Sequence, residues 1–135
     1  METIIVEKLD RIKQNLPKAM KFLENCCVCP RNCNINRVED QRGFCGIGRY
    51  AIVNKIKLEK EKEDYFYGTS YSGKIYFSSC NLRCFYCKDY KISQTIDGDT
   101  VTAEELAEEI LKLQESGAQN IHFVSPTHVG PQIME

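Results

Sequence analysis

The spacing of hydrophobic residues separates the chain into four segments. They are residues 1–25, 26–49, 50–73 and 74–135. The first segment carries apolar residues at helical spacing, at Leu9, Ile12, Leu16, Met20 and Leu23. It therefore predicts amino-terminal helices with a break or restart at Pro17, because proline is tolerated in the first turn of a helix. Residues Tyr50 to Leu58 alternate loosely, which predicts a half-buried strand leading into a turn-rich connector.

The last segment has the pattern of a strand, a helix and a second strand. Strands are predicted from Ile75 to Ser79 and over the largely apolar run from Asn120 to Ser125, which is typical of a strand buried on both faces. The helix between them begins with a capping box of Thr102 and Glu105 and ends at Gly117. Its buried stripe consists of Leu106, Ile110 and Leu113. These elements predict one βαβ unit and an α/β fold.

Composition narrows the classes of function. The chain has 135 residues and a net charge of −1, so nothing in its electrostatics favours nucleic acid or an anionic membrane as a partner. The hydrophobic residues, 42% of the total, never form a run long enough to span a membrane. The start of the chain is too acidic and too briefly apolar for a signal peptide, so a cytoplasmic protein is expected.

Eight cysteines in such a chain point to metal binding, because disulfides are rare in a reducing cytosol. Cys80, Cys84 and Cys87 follow the first strand of the last segment, and three thiols so close together can converge on one soft metal centre. Three ligands on a four-iron cluster would leave one iron open. The alternative is a zinc site that takes its fourth ligand from elsewhere in the chain.

A second set of thiols makes residues 26–49 a cysteine-rich metal-binding loop. Its predicted ligands are Cys26, Cys29, Cys33 and Cys45, with Cys27 as a spare or substitute. Four thiolates suit structural zinc or a fully ligated iron–sulfur cluster, and the spacing matches no common ferredoxin pattern. The residues leave the metal open, and we favour an auxiliary cluster over zinc.

The sequence SSCNLRCFYCKDYKISQ resembles the signature loop of the radical S-adenosylmethionine (SAM) superfamily, in the branch related to pyruvate formate-lyase activating enzymes. The block CPRNC…NR…GFCG is similar to the amino-terminal extension of the same branch. The resemblance implies the first βαβ unit of a partial TIM-like barrel, preceded by a helical and cysteine-rich extension. It also implies a [4Fe-4S] cluster on Cys80, Cys84 and Cys87, which would cleave SAM reductively to a 5′-deoxyadenosyl radical.

The resemblance implies further contacts and partners. Tyr86 would lie near the adenine of SAM, and the turn SPTH would contact its methionyl part through Ser125, Thr127 and His128. A histidine satisfied by its neighbours is an equal reading for His128, and His122 is expected in the core. An electron donor such as flavodoxin or ferredoxin is implied, together with a protein substrate if the chain resembles activators of glycyl-radical enzymes. Catalytic residues beyond the ligands are unknown.

The resemblance covers this chain but only the front half of the barrel it implies. Residues 88–97 read as irregular and polar, and Gly130 with Pro131 predicts the start of a further helix. We therefore expect a truncated gene product, an incomplete sequence or a fragment that needs a partner, and one that is inactive alone. The competing hypothesis is a non-catalytic metal-binding module, either a zinc domain or an iron–sulfur electron carrier.

Overall fold

The computed structural model describes residues 2–60 and 71–135. The helices are α1 (Glu2–Glu24), α2 (Tyr90–Gln94), α3 (Ala103–Glu115) and α4 (Gly130–Met134), with a 3₁₀ turn at Thr127–Val129. The strands are β1 (Ala51–Lys60), β2 (Tyr71–Phe77), β3 (Asp99–Val101) and β4 (Ala118–Val124). Residues 61–70 of the predicted connector lie outside the described part of the chain. Its last three residues, predicted as part of a turn, instead begin β2 at Tyr71.

The strands form one mixed sheet in the order β3-β1-β2-β4. β2 and β4 are parallel, with Ile75 opposite Phe123, which confirms the predicted parallel pair and the α/β class. β1 is antiparallel to both of its neighbours. The sheet is therefore larger than one βαβ unit, because a short strand and a long antiparallel strand extend it on one side.

The strand predicted at Asn120 to Ser125 is confirmed, but it is not buried on both faces. Its residues are mostly half-buried, His122 among them, so the prediction of a core histidine there was wrong. The reason is position, since β4 is the edge of the sheet in the part of the chain described. The core lies instead around β2, where Phe77 is fully buried and its ring centroid lies 5.9 Å from that of Phe123.

The helix α3 follows its predicted signals closely. The side chain of Thr102 accepts a hydrogen bond from the Glu105 amide, and the Glu105 carboxylate accepts one from the Thr102 amide. Leu106 and Leu113 are buried against the sheet, and Ile110 packs beside them. The chain leaves the helix at Gly117, whose φ of 98° is a conformation that glycine adopts readily.

The amino-terminal helix differs from the prediction in two ways. It runs from Glu2 to Glu24 without a break at Pro17, which lies inside it and is exposed. The predicted stripe is buried only at its far end, because Leu23 is fully buried whereas Leu9 and Ile12 are exposed. The buried end follows from packing, since α1 contacts α4. No helix in the described residues is long and apolar enough to cross a membrane.

Candidate metal centres

The loop after α1 is shaped by backbone hydrogen bonds between its own turns. Cys26 donates to the carbonyl of Ile35 at 2.8 Å, and Asn34 donates back to the Cys26 carbonyl at 3.0 Å. Asn32 and Asn34 adopt positive φ values of 44° and 54°, which asparagine tolerates better than most residues. The loop thus folds back so that Asn34 and Ile35 lie beside Cys26.

These turns bring the four predicted amino-terminal ligands to one cavity, which we call the four-thiol cavity. It is lined by Cys26, Cys29, Cys33 and Cys45, among other residues, but not by the exposed Cys27. All eight cysteines are free thiols. In the described residues, no three side chains of the ligand types are already arranged as a metal site. The chemistry of the donor set nevertheless fits a tetrahedral thiolate centre, because four thiols line the same cavity.

Burial controls the chemistry of the innermost thiol. Cys45 is 8% exposed, and burial raises the pKa of its thiol above the usual value, with the neighbouring Cys26 and Cys29 raising it further. The amide of Ile47 and the charge of Arg37 oppose this rise in pKa. Since metals bind the thiolate, loading of this site would release protons and would strengthen as the pH rises.

Gly43 makes room for one of the thiols. A methyl group at this position would lie 2.8 Å from the Cys33 Sγ and 2.9 Å from its Cβ, closer than real contacts of this kind. The glycine therefore allows the Cys33 side chain to occupy its place beside the cavity.

We expect Gly43→Ala to weaken metal binding at the four-thiol cavity by about tenfold, the scale of losses for residues that support ligands. The added methyl group would displace Cys33 from the other thiols. Equilibrium competition with a chelator measures the change. Gly130→Ala is the control, because a methyl group there would meet nothing within 4 Å. Equal affinity in both variants would contradict the role given to Gly43.

The second group of thiols lies on the loop that leaves the carboxyl end of β2. Cys80, Cys84 and Cys87 are all half-buried, and Cys87 donates to the Cys84 carbonyl at 3.2 Å in a tight turn. Ser79 and Arg83 have positive φ values of 64° and 53°, so the loop bends sharply on entering and within the motif. We call residues 79–87 the cluster loop.

A helix that the sequence pattern did not predict is hydrogen-bonded to the cluster loop. The predicted irregular stretch contains α2, and Ser79 donates to the carbonyl of Ile92 at 2.8 Å. Gln94 reaches back to the Cys84 carbonyl at 3.4 Å. The tip remains open, since the side chains of Phe85 and Tyr86 are 86% and 76% exposed.

The two cysteine motifs touch through an arginine–aromatic contact. The guanidinium of Arg31 lies 3.8 Å from the ring centroid of Phe44, and that of Arg83 lies 4.9 Å from the same centroid. Arg31 also donates to the carbonyl of Asn81 at 2.9 Å, and Asn81 lines the four-thiol cavity. Each of these residues lies beside or between cysteines, which is the only sign of their role in the sequence.

The turn after β4 places its residues in different surroundings. Thr127 is exposed and Ser125 is half-buried with a φ of 59°, whereas His128 is 1% exposed and lines the four-thiol cavity. Tyr86, Ser125 and Thr127 do not line that cavity.

The ring of His128 joins the ends of the two parallel strands. Its Nε2 lies 3.1 Å from the carbonyl of Ser78, just after β2, so this nitrogen carries the proton and Nδ1 carries a lone pair. In the described residues, Nδ1 has no hydrogen-bond partner. Burial lowers the pKa of His128 to about 4, with a further lowering from Arg37, against the bond to Ser78 that raises it. The imidazole is therefore neutral at pH 7.

Comparisons with known proteins show relatives without a described activity. An uncharacterised protein of Methanocaldococcus jannaschii, MJ0808, is 29% identical over 145 aligned residues, which cover 98% of this chain and 39% of that protein. A second uncharacterised protein of the same organism, MJ0674, is 30% identical over 129 residues, covering 86% of this chain and 36% of that protein. The chain thus spans less than two fifths of the length of these curated relatives. No protein-family model and no solved structure gives a significant match.

Proposed function

We propose that this chain carries the cluster-binding part of a radical SAM enzyme. The observation that supports the proposal most is the position of the cluster loop. Its three thiols follow β2 at the same end of the sheet where the turn after β4 begins, because the two strands are parallel. Ligands in parallel α/β folds bind at this end. The Ser78–His128 hydrogen bond holds the two segments against each other.

Cys80, Cys84 and Cys87 would hold a [4Fe-4S] cluster, which when bound supplies the electron that cleaves SAM. The donor set fits such a group, because it consists of free thiols on a loop anchored at its base and open at its tip. In this proposal the first strands of a TIM-like barrel are β2 and β4. In this proposal Tyr86, Ser125 and Thr127 would contact SAM, whereas His128 holds the strand ends together through its bond to the Ser78 carbonyl.

The four-thiol cavity would hold a second group, either an iron–sulfur cluster or zinc. The cavity lies close to the cluster loop, because Arg31 and Arg83 both contact the ring of Phe44. This proximity suits either an auxiliary cluster that passes electrons or a centre that stabilises the loop. An electron donor such as flavodoxin or ferredoxin and a protein substrate, both in the cytoplasm, belong to this proposal.

The test is anaerobic reconstitution with iron and sulfide, followed by electron paramagnetic resonance of the reduced protein with and without SAM. We expect a four-iron signal that changes when SAM is added. Cys80→Ala, Cys84→Ala and Cys87→Ala should each abolish the SAM-dependent change, whereas Cys27→Ala should keep it because Cys27 is exposed and outside both sites.

A second candidate is a non-catalytic metal-binding module, which the four-thiol cavity favours because it offers a complete ligand set by itself. Zinc at both sites, or a four-iron signal indifferent to SAM, would support this candidate and overturn the enzyme proposal. A SAM-dependent signal retained in Cys80→Ala would overturn the ligand assignment.

A further inference from the structure

A buried arginine lies beside the four-thiol cavity without a carboxylate partner. Arg37 is 1% exposed and lines the cavity. Its Nε donates to the Gly48 carbonyl at 3.0 Å, and its Nη1 donates to the His128 carbonyl at 2.8 Å. Within residues 2–60 and 71–135, none of the ion pairs includes Arg37.

The guanidinium also has unused hydrogen-bonding capacity, and one of its nitrogens lies near a thiol. Nη1 lies 4.0 Å from the Cys26 Sγ, and in the described residues the buried Nη2 has no hydrogen-bond partner. An arginine is charged at every physiological pH, and a buried charge is costly unless an opposite charge lies nearby. Two carbonyl oxygens supply dipoles but no charge. The charge of Arg37 therefore needs an anionic group, and the structure places four thiols beside it.

A metal bound by these thiols would be that anionic group. Four thiolates around zinc, or around a [4Fe-4S]²⁺ core, carry a formal net charge of about −2. Substituting a residue that donates a hydrogen bond to a ligand atom typically weakens the affinity for the metal by about 10–100-fold. A guanidinium can supply both the charge and the donor, because its five N–H groups point in fixed directions.

We propose that Arg37 is the positioning residue of the four-thiol site: its Nη2 donates to a ligand thiolate and its charge offsets the negative charge of the bound centre. This inference rests on the proposal that Cys26, Cys29, Cys33 and Cys45 bind a metal. The two carbonyl bonds of Arg37 tie the site to Gly48 and to the 3₁₀ turn after β4. The ligand class is an anionic thiolate–metal centre, whether zinc or iron–sulfur.

Cobalt(II) tests the proposal, because it binds tetrahedral thiolate sites and its thiolate-to-metal absorption band reports the charge near the sulfur atoms. The parent for the test is the full chain with Cys80, Cys84 and Cys87 replaced by alanine, so that only the four-thiol cavity binds. Arg37→Gln should weaken cobalt(II) binding 10–100-fold and move the band to longer wavelength, because an unscreened thiolate gives up charge more easily. Arg37→Lys should be intermediate in both properties.

The matched control is Arg42→Gln, which removes the same charge from an exposed residue of the same loop that pairs with Asp40. It should leave the affinity and the band unchanged. A purely structural Arg37 would lower the affinity of Arg37→Gln without moving the band, and that result overturns the proposal. If Arg37→Gln does not fold, Arg37→Lys decides, and parental affinity and band position in it overturn the proposal. A parent that gives no cobalt–thiolate band overturns the metal site itself.

Discussion

Replacing Cys29 by serine is expected to empty the four-thiol cavity of metal and to destabilise the protein, whereas Cys27→Ser should do neither. The two cysteines are two positions apart, but Cys29 lines the cavity and Cys27 is exposed and does not. Loss of one of four ligands should weaken the affinity for metal by more than about 100-fold, since even supporting residues are worth about 10–100-fold. A ligand at 1,000 times its Kd stabilises the fold by about 4 kcal/mol, and this amount would be lost.

Metal analysis of purified protein and thermal unfolding with and without a chelator measure both effects. The chelator should lower the Tm of the wild type and of Cys27→Ser by the same amount. It should lower that of Cys29→Ser by less, since only metal at Cys80, Cys84 and Cys87 would remain to be removed. The comparison is sharp because both substitutions remove one sulfur from the same loop. Equal metal content in the two variants would show that the cavity is not a closed four-thiolate site.

The elements that depend on local signals are the ones the sequence predicted well. Local signals place the ends of α3 to within about one helical turn. They are the capping box of Thr102 and Glu105 and the buried stripe of Leu106 and Leu113, and the structure contains both. The parallel pairing of β2 and β4 follows from the helix between them, because a strand–helix–strand sequence leaves few other arrangements. Grouping of the amino-terminal thiols in one cavity was also predictable, from their spacing and from the resemblance of the surrounding block, with Cys27 left as a spare or substitute.

The elements that depend on distant contacts were not predictable. β3 has only three residues and no alternation, so its strand character comes from pairing with β1. α2 is short and mostly polar, so its sequence shows no helical spacing of apolar residues. Its Ile92 carbonyl accepts a hydrogen bond from the start of the cluster loop, at Ser79. Pro17 was expected to break α1, but the helix continues through it, and packing of its far end on α4 outweighs one missing hydrogen bond.

The candidate site shows the same division. Ligand-type residues are recognisable by their chemistry, whereas the residues that join the two motifs have no such sign. Arg31 and Arg83 share the ring of Phe44, and Arg37 reaches across to His128. The contacts of Arg83 with Phe44 and of Arg37 with His128 span long stretches of chain, so no local pattern predicts them. The four-thiol cavity and the cluster loop are consequently neighbours in the fold, and a substitution in one is expected to affect the other.

Because of His128, the free energy of unfolding should decrease as the pH falls from about 6.5 to about 4. Its pKa is lowered in the folded protein to about 4, chiefly by burial, from the ordinary value of 6.5. The unfolded chain therefore takes up a proton in this window that the folded protein does not, and the free energy of unfolding falls as the pH falls. Above pH 6.5 the contribution is fully present. A difference of about 2.5 pKa units corresponds to about 3 kcal/mol.

His128→Gln should flatten this pH dependence, because glutamine can still donate to the Ser78 carbonyl but does not titrate. Urea unfolding of both proteins between pH 4 and 7 gives the difference, and their subtraction removes the contributions of carboxylates and thiols. The chain contains two histidines, so an NMR titration of the imidazole signals, assigned with His122→Gln, measures the pKa directly. A His128 signal that titrates near pH 6.5 would show that the ring is not buried as a neutral group between Arg37 and Ser78.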